Sequence, residues 1–123
     1  MILVDTSVWV NHFRRTDARL VQLLEDGEVM THPLVIGELA CGTLPRRREV
    51  LDLLHQLEAA PIAADDEALA FIERHRLMGR GIGYVDVHLL ASAALAHGAA
   101  LWTADARLAS AAAGLSLSHD PNR

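Results

Sequence analysis

The sequence predicts a three-layer α/β/α sandwich around a central, mainly parallel sheet of four to five strands. Short apolar runs of strand length alternate with longer segments whose leucines and alanines recur at helical spacing. Glycine, proline or aspartate stands at most boundaries between these segments, as is typical of helix ends and turns. With 123 residues the chain has the size of one domain, so we expect residues 1–123 to fold as a single unit.

The first third of the chain contains two predicted strands and three predicted helices. An apolar run at residues 2–4 ends at polar residues 5–7 and leads into a helical pattern. Asp17 is placed to cap the next helix and Gly27 to end it. The predicted strands are residues 2–4 and 28–31, and the predicted helices are residues 8–13, 18–26 and 33–41.

The rest of the chain continues the alternation. Acids at residues 65–67 and arginines at 74 and 76 match the two ends of a helix dipole. A glycine-rich link at residues 79–83 precedes a long alanine-rich helix. The predicted helices are residues 46–59, 65–76, 84–97 and 105–113, and the predicted strands are residues 61–63 and 99–103, with a candidate edge strand at 115–118.

Composition excludes several classes of protein. No apolar run approaches the roughly 20 residues that span a bilayer, and the first residues lack the basic start of a signal peptide, so we expect a cytoplasmic protein. A single cysteine cannot form an internal disulfide. The net charge of −5 argues against a broad basic face that grips nucleic acid. Any grip on nucleic acid must therefore come from local positive charge and a bound metal ion.

Two aspartates follow predicted strands. Asp5 comes directly after the strand at residues 2–4, and Asp105 follows the strand at 99–103. Ligands of parallel sheets bind beyond the carboxyl ends of the strands, which is where both side chains are expected. The structural alternative is that each aspartate only caps the helix that follows it.

Two further acids lie on predicted helices of apolar character. Glu38 stands between Gly37 and Leu39, so its side chain points either to water or to a polar pocket. Asp86 stands in the first turn of the helix at residues 84–97, where the helix dipole stabilises a carboxylate whatever its function.

In a sheet of this topology the four acids can converge on one edge. Uncompensated carboxylates repel one another strongly where the dielectric constant is low, so a positive group is expected among them. Hard oxygen ligands, without a cysteine or histidine set at metal spacing, favour Mg²⁺ or Mn²⁺ over zinc. Such ions keep several waters, and activated water is a nucleophile toward a phosphodiester. The pattern predicts metal-assisted phosphodiester hydrolysis.

Four ordered motifs carry a resemblance to a known family across nearly the whole chain. The sequence resembles PIN-domain nucleases, and in particular the VapC-type toxins of bacterial toxin–antitoxin pairs. Four motifs in this order are much more specific than any one of them. They read LVDTS at residues 3–7, PLVIGEL at 33–39, YVDVHLLA at 84–91 and LWTADARL at 101–108.

The resemblance implies a function and a set of roles. It implies coordination of Mg²⁺ or Mn²⁺, cleavage of RNA, frequent homodimers and inhibition by a cognate VapB-type antitoxin that occupies the acidic groove. A water attack would leave a 5′-phosphate and a 3′-hydroxyl; the number of ions, one or two, stays open. The implied metal ligands are Asp5, Asp86, Asp105 and, as a ligand or a group that orients water, Glu38. The implied supporting hydroxyls belong to Thr6, Ser7 and Thr103.

Arginines are the only basic residues of the chain apart from histidine. Arg46, Arg47 and Arg48 form the one basic run, and Arg80 stands in the loop before Asp86. Guanidinium groups match phosphate oxygens, so these four are candidates for RNA contacts. The alternative is that they belong to a solvated helix terminus.

Three other functions compete with a VapC-type toxin. A haloacid-dehalogenase phosphatase or a phospho-acceptor domain needs a lysine near the phosphoryl group, and this chain has none. A non-catalytic interaction domain of the same fold is less favoured because all four acids are present. A PIN-fold RNA-processing nuclease without an antitoxin is less favoured because the chain is short and carries no appended RNA-binding module.

Overall fold

The computed structural model describes residues 1–122 of the chain, in which seven helices and four strands alternate for most of its length. The strands are β1 (Ile2–Val4), β2 (Val29–Thr31), β3 (Glu58–Ala59) and β4 (Ala100–Trp102). The helices are α1 (Thr6–Arg14), α2 (Ala18–Glu25), α3 (Pro33–Cys41), α4 (Arg47–Gln56), α5 (Asp65–His75), α6 (Tyr84–Leu95) and α7 (Ala106–Gly114). The predicted α/β/α sandwich is confirmed.

The four strands form one parallel sheet with the order β3-β2-β1-β4. Strands β2 and β3 lie on one side of β1, and β4 lies on the other side. The strand order therefore reverses between β1 and β4. A crevice forms at such a switch point, beyond the carboxyl ends of the strands. The register fixes its position, because Val4 at the end of β1 lies opposite Trp102 at the end of β4.

The residues at the two ends of α2 determine where this helix begins and ends. Asp17 caps α2, since one of its carboxylate oxygens accepts hydrogen bonds from the backbone N–H groups of Arg19 and Leu20. Gly27, with a φ of 67°, adopts the left-handed conformation that turns the chain from α2 into β2. Both features agree with the sequence prediction.

A buried histidine begins α3. His32 Nδ1 accepts a hydrogen bond from the Leu34 N–H at 3.1 Å, so its Nε2 carries the proton and donates to Ser92 Oγ of α6, also at 3.1 Å. Burial lowers the pKa of His32, and the neighbouring His88 lowers it further. A neutral His32 therefore ties the start of α3, which carries Glu38, to α6, which carries Asp86.

Helix α6 is the buried helix at the centre of the fold. Seven successive residues, from 87 to 93, are buried, and most are alanine or leucine. A helix that is apolar on all sides must be covered by neighbours all round. The helix ends at Leu95, two residues before the predicted end at residue 97. No helix within residues 1–122 is long and apolar enough to cross a membrane.

The predicted third strand and the candidate edge strand are both wrong. The third strand lies at Glu58–Ala59 and not at residues 61–63, because the Ala60 N–H bonds to the Thr31 carbonyl at 2.8 Å and Pro61 has no N–H to extend the ladder. Residues 115–118 form a single bridge beside β4, between Leu101 and Ser118, and not a strand. Within the described part of the chain the sheet thus has four strands.

Candidate active site

The candidate active site lies at the carboxyl ends of β1 and β4. Asp5 is the first residue after β1, and its backbone N–H donates to the carbonyl of Trp102, the last residue of β4, at 2.9 Å. Thr103 and Asp105 follow β4 directly, so the residues that leave the two strands meet at the switch in strand order. The prediction that Asp5 and Asp105 share this edge is confirmed.

Two hydroxyl groups hold the carboxylate of Asp5, which is buried at 6% exposure. The Ser7 and Thr103 hydroxyls each donate a hydrogen bond to Asp5 Oδ2 at 2.7 Å. The same hydroxyls accept hydrogen bonds from the backbone N–H groups of Ala104 and Asp105, both at 3.0 Å.

The direction of these hydrogen bonds distinguishes the two carboxylate oxygens of Asp5. Each hydroxyl has one proton, and both protons point at Asp5 Oδ2, so this oxygen acts only as an acceptor. The hydroxyl oxygens lie 3.3 Å apart without a proton to share between them. Asp5 Oδ2 is thus fully engaged, whereas Oδ1 has no hydrogen bond within residues 1–122.

Asp105 combines a structural role with a place in the site. Its Oδ1 accepts hydrogen bonds from the N–H groups of Arg107 and Leu108, at 2.9 and 3.0 Å, and so caps α7. The structural alternative raised by the sequence is thus correct for this oxygen. Oδ2 takes no part in the cap, and the residue is exposed.

Glu38 reaches the site from α3. Its side chain is exposed, and its Oε1 accepts a hydrogen bond from the Thr6 hydroxyl at 2.7 Å. Thr6 is the neighbour of Asp5 in the chain and the first residue of α1, which packs against α3. A cavity of about 340 Å³ borders Glu38 on the side of α1.

The pKa of Asp86 indicates that the four acids lie near one another. It lies half-buried in the first turn of α6, and burial raises its pKa above the ordinary value of 3.8. Negative charge from three other carboxylates raises the pKa further, and a hydrogen bond of 3.0 Å from the Gly83 N–H lowers it. These three are, in decreasing order of effect, Asp5, Asp105 and Glu38. Because charge interactions weaken with distance, the four acids share one region of the surface.

Comparison with known proteins identifies the family. The family model described as "PIN domain" matches residues 2–114. The chain belongs to the PIN-domain family. Two curated relatives from strains of Mycobacterium tuberculosis, both named "Ribonuclease VapC32", are 57% identical to this PIN domain over 113 residues. The match covers 92% of this chain and 91% of each relative.

Solved structures share the fold at low sequence identity. One is a toxin–antitoxin complex from Klebsiella pneumoniae, which matches with a TM-score of 0.71 and 19% identity, over 98% of both chains. Another is PAE2754 from Pyrobaculum aerophilum, with a TM-score of 0.67 and 17% identity, over 98% of this chain and 89% of the other. Both comparisons support the PIN fold alone.

The donor set of this PIN domain suits a hard divalent cation, although it does not form a closed cage. All four side chains offer carboxylate oxygen, which Mg²⁺ and Mn²⁺ prefer, and their mutual repulsion is relieved by positive charge. Among residues 1–122, however, no group of three or more His, Cys, Asp or Glu side chains is arranged to hold a metal ion. Magnesium commonly takes one or two carboxylates and completes its shell with water, so an open arrangement fits it.

The arginines predicted to contact RNA are placed in two regions. Arg46 pairs with Glu49 at 3.8 Å, and Arg47 donates to the carbonyls of Ala40 and Gly42 at the end of α3. These two guanidinium groups thus have partners within the protein. The other two predicted arginines, Arg48 in α4 and Arg80 in the loop before α6, are exposed and have no ion pair within the described residues.

Replacing Asp86 by Asn should stabilise this PIN domain in the absence of metal. Because folding raises the pKa of Asp86, the contribution of this one group to stability is fully present below pH 3.8 and is lost as the pH rises through its folded-state pKa. Asparagine removes the charge and can still accept the Gly83 hydrogen bond. We expect the free energy of unfolding at neutral pH to rise by about 0.5 to 1 kcal/mol after solvent screening.

Urea unfolding in EDTA measures this effect. The matched control is Asp52→Asn on the exposed face of α4, which should change stability much less. An Asp86→Asn variant that is less stable than the wild type at neutral pH would contradict the charge repulsion at the site.

Proposed function

We propose that this protein is an endoribonuclease that depends on Mg²⁺ or Mn²⁺ and hydrolyses phosphodiester bonds at the four carboxylates. The observation that carries the proposal is the placement of Asp5 and Asp105 at the ends of β1 and β4, with Glu38 bonded to Thr6 beside them. The charges of these three acids also raise the pKa of Asp86. The name of the 57% identical relatives supports RNA as the substrate. Four acids brought together at a sheet edge serve no evident purpose in folding, because they repel one another.

Each residue of the site has a role that its contacts suggest. Ser7 and Thr103 hold the Asp5 carboxylate in position, and Thr6 orients Glu38. In each acid one oxygen is held by a hydrogen bond within the protein, so the other remains free to bind a cation or to orient water. The groups proposed to hold the cation are Asp5, Asp86, Asp105 and Glu38.

A bound Mg²⁺ or Mn²⁺ would supply positive charge that polarises the phosphodiester. It would also lower the pKa of a water molecule, so that this water can lose a proton and attack at neutral pH. The carboxylates contribute by orientation. Glu38 is exposed and anchored through Oε1 only, so Oε2 can accept a hydrogen bond from the attacking water or hold its proton. Asp5 is buried and fixed by two hydroxyls, which suits a group that holds the cation without moving.

We further propose that the chain is the toxin of a toxin–antitoxin pair. The names of the curated relatives and the likeness to the Klebsiella pneumoniae toxin–antitoxin complex support this role. The four acids Asp5, Glu38, Asp86 and Asp105 form an acidic rim on a chain of net charge −5. A partner segment with basic side chains would complement this rim best. A small neighbouring gene for a DNA-binding protein would favour this proposal over an RNA-processing nuclease without an antitoxin. A homodimer and a cytoplasmic location remain predictions.

Replacing Asp5 by Asn should abolish RNA cleavage without unfolding the protein. Asparagine has the shape of aspartate and can still accept hydrogen bonds from Ser7 and Thr103, yet it brings no charge to the site. We expect a loss of at least about 100-fold in cleavage rate, as is typical when a group acting on the reacting centre is removed. The control is again Asp52→Asn, which should cleave like the wild type.

The measurement is cleavage of a labelled RNA in Mg²⁺, with analysis of the product ends. Hydrolysis by water should yield a 5′-phosphate and a 3′-hydroxyl. Retained cleavage in the pure Asp5→Asn protein would reject the assigned role of this residue. Products with a 2′,3′-cyclic phosphate would reject attack by water.

Addition of Mn²⁺ should stabilise the wild-type protein against heat. A ligand that binds only the folded state stabilises it by about 2.7 kcal/mol at 100 times its Kd. The effect should be much smaller in Asp5→Asn and unchanged in Asp52→Asn. A wild-type melting temperature that does not respond to Mn²⁺ would favour a non-catalytic interaction domain.

A further inference from the structure

The side chain of Arg107 lies directly on the backbone of Gly81. A Cβ atom added at residue 81 would stand 2.8 Å from both Cδ and Nη1 of Arg107 and 3.2 Å from its Cζ. Gly81 also has a φ of 78°, in the left-handed region that side chains disfavour. The positive φ favours glycine at residue 81, and a side chain there would also displace the Arg107 side chain from its present position.

This contact places a positive charge beside the acidic rim. Arg107 stands in the first turn of α7, and its backbone N–H donates to Asp105, one of the four acids. Gly81 stands two residues before Gly83, whose N–H donates to Asp86, another of the four. The Arg107 side chain therefore connects the start of α7 with the loop that leads to α6.

Arg107 is exposed and has no carboxylate partner. None of the ion pairs in residues 1–122 includes it, although Asp105 stands only two residues before it in the chain. A guanidinium group carries five N–H donors in a planar fork that fits phosphate oxygens. Because packing against Gly81 restricts this group while its donors stay available, less conformational freedom would be lost on binding an anion.

We propose that Arg107 binds a phosphate of the RNA next to the one that is cleaved, and that Gly81 holds its guanidinium in place. The proposal rests on the proposed function, since it assigns a further residue to the same site. It supplies the local positive charge that a chain of net charge −5 needs to hold RNA against four carboxylates. Arg46 and Arg47 are less suited, because their guanidinium groups already have protein partners.

The experiment measures RNA binding separately from cleavage. Every protein carries Asp5→Asn, and a fluorescein-labelled oligoribonucleotide of mixed sequence is titrated by anisotropy at fixed Mg²⁺ and varied NaCl. Adding Arg107→Ala should raise the Kd about 5- to 20-fold and reduce the slope of log K against log salt by about 0.7, the loss of one phosphate contact on a single strand. Arg19→Ala, an exposed arginine of α2, is the control and should change neither quantity.

Two further variants test the geometry of the contact. Arg107→Lys keeps one charge but not the planar fork, so it should keep the salt slope and lose part of the affinity. Gly81→Ala keeps the arginine but displaces it, so it should weaken binding in the same direction. Combined with Arg107→Ala, it should add nothing to the loss. An additive loss would overturn the role given to Gly81.

The outcomes separate this proposal from the proposed function, because wild-type cleavage is measured in parallel. If the wild type cleaves RNA and Arg107→Ala binds RNA like its parent, the role of Arg107 is overturned and the nuclease stands. If Arg107→Ala weakens binding while the wild type cleaves nothing, the phosphate contact stands and the nuclease falls. If the Asp5→Asn parent binds no RNA, the role of Arg107 is overturned as well.

Discussion

Repulsion among carboxylates at the junction of β1 and β4 is the constraint on which the rest of the structure depends. Parallel pairing of these strands places Asp5 and Asp105 at one edge, and α3 and α6 bring Glu38 and Asp86 to the same region. The core fixes this geometry, since the helix that carries Asp86 is buried on all sides and is tied to the start of α3 through His32. A fold held this firmly can keep like charges close together at a cost in stability.

Hydrogen bonds stabilise the four carboxylates without neutralising their charge. Hydroxyl groups from residues 6, 7 and 103 and backbone N–H groups at two helix starts each hold one oxygen of a carboxylate. They orient the acids, yet they provide no counter-charge. The site is thus preorganised for a cation and for the phosphate group of a substrate, which is the arrangement expected of an electrostatic catalyst.

Much of this arrangement could be predicted from the sequence, because strong local signals lie where the chemistry is. An apolar run followed by an aspartate marked both strand ends, and the cap at Asp17 and the proline at the first position of α3 marked helix starts. Edge strands were harder, because β3 has only two exposed residues and is defined by its pairing with β2 alone. The contact of Arg107 with Gly81 was missed because it joins residues 26 positions apart, and only the glycine-rich loop at 79–83 hinted at a close approach.

The convergence of the acids is tested most directly by the titration of Asp86 itself. Carboxyl ¹³C NMR of the metal-free protein should give Asp86 a pKa above 3.8, and this pKa should fall in an Asp5→Asn variant because the strongest of the three neighbouring charges is removed. The pKa of Asp86 should stay unchanged in Asp52→Asn. An Asp86 pKa at or below 3.8, or one that does not respond to Asp5→Asn, would contradict the gathering of charge at this edge of the sheet.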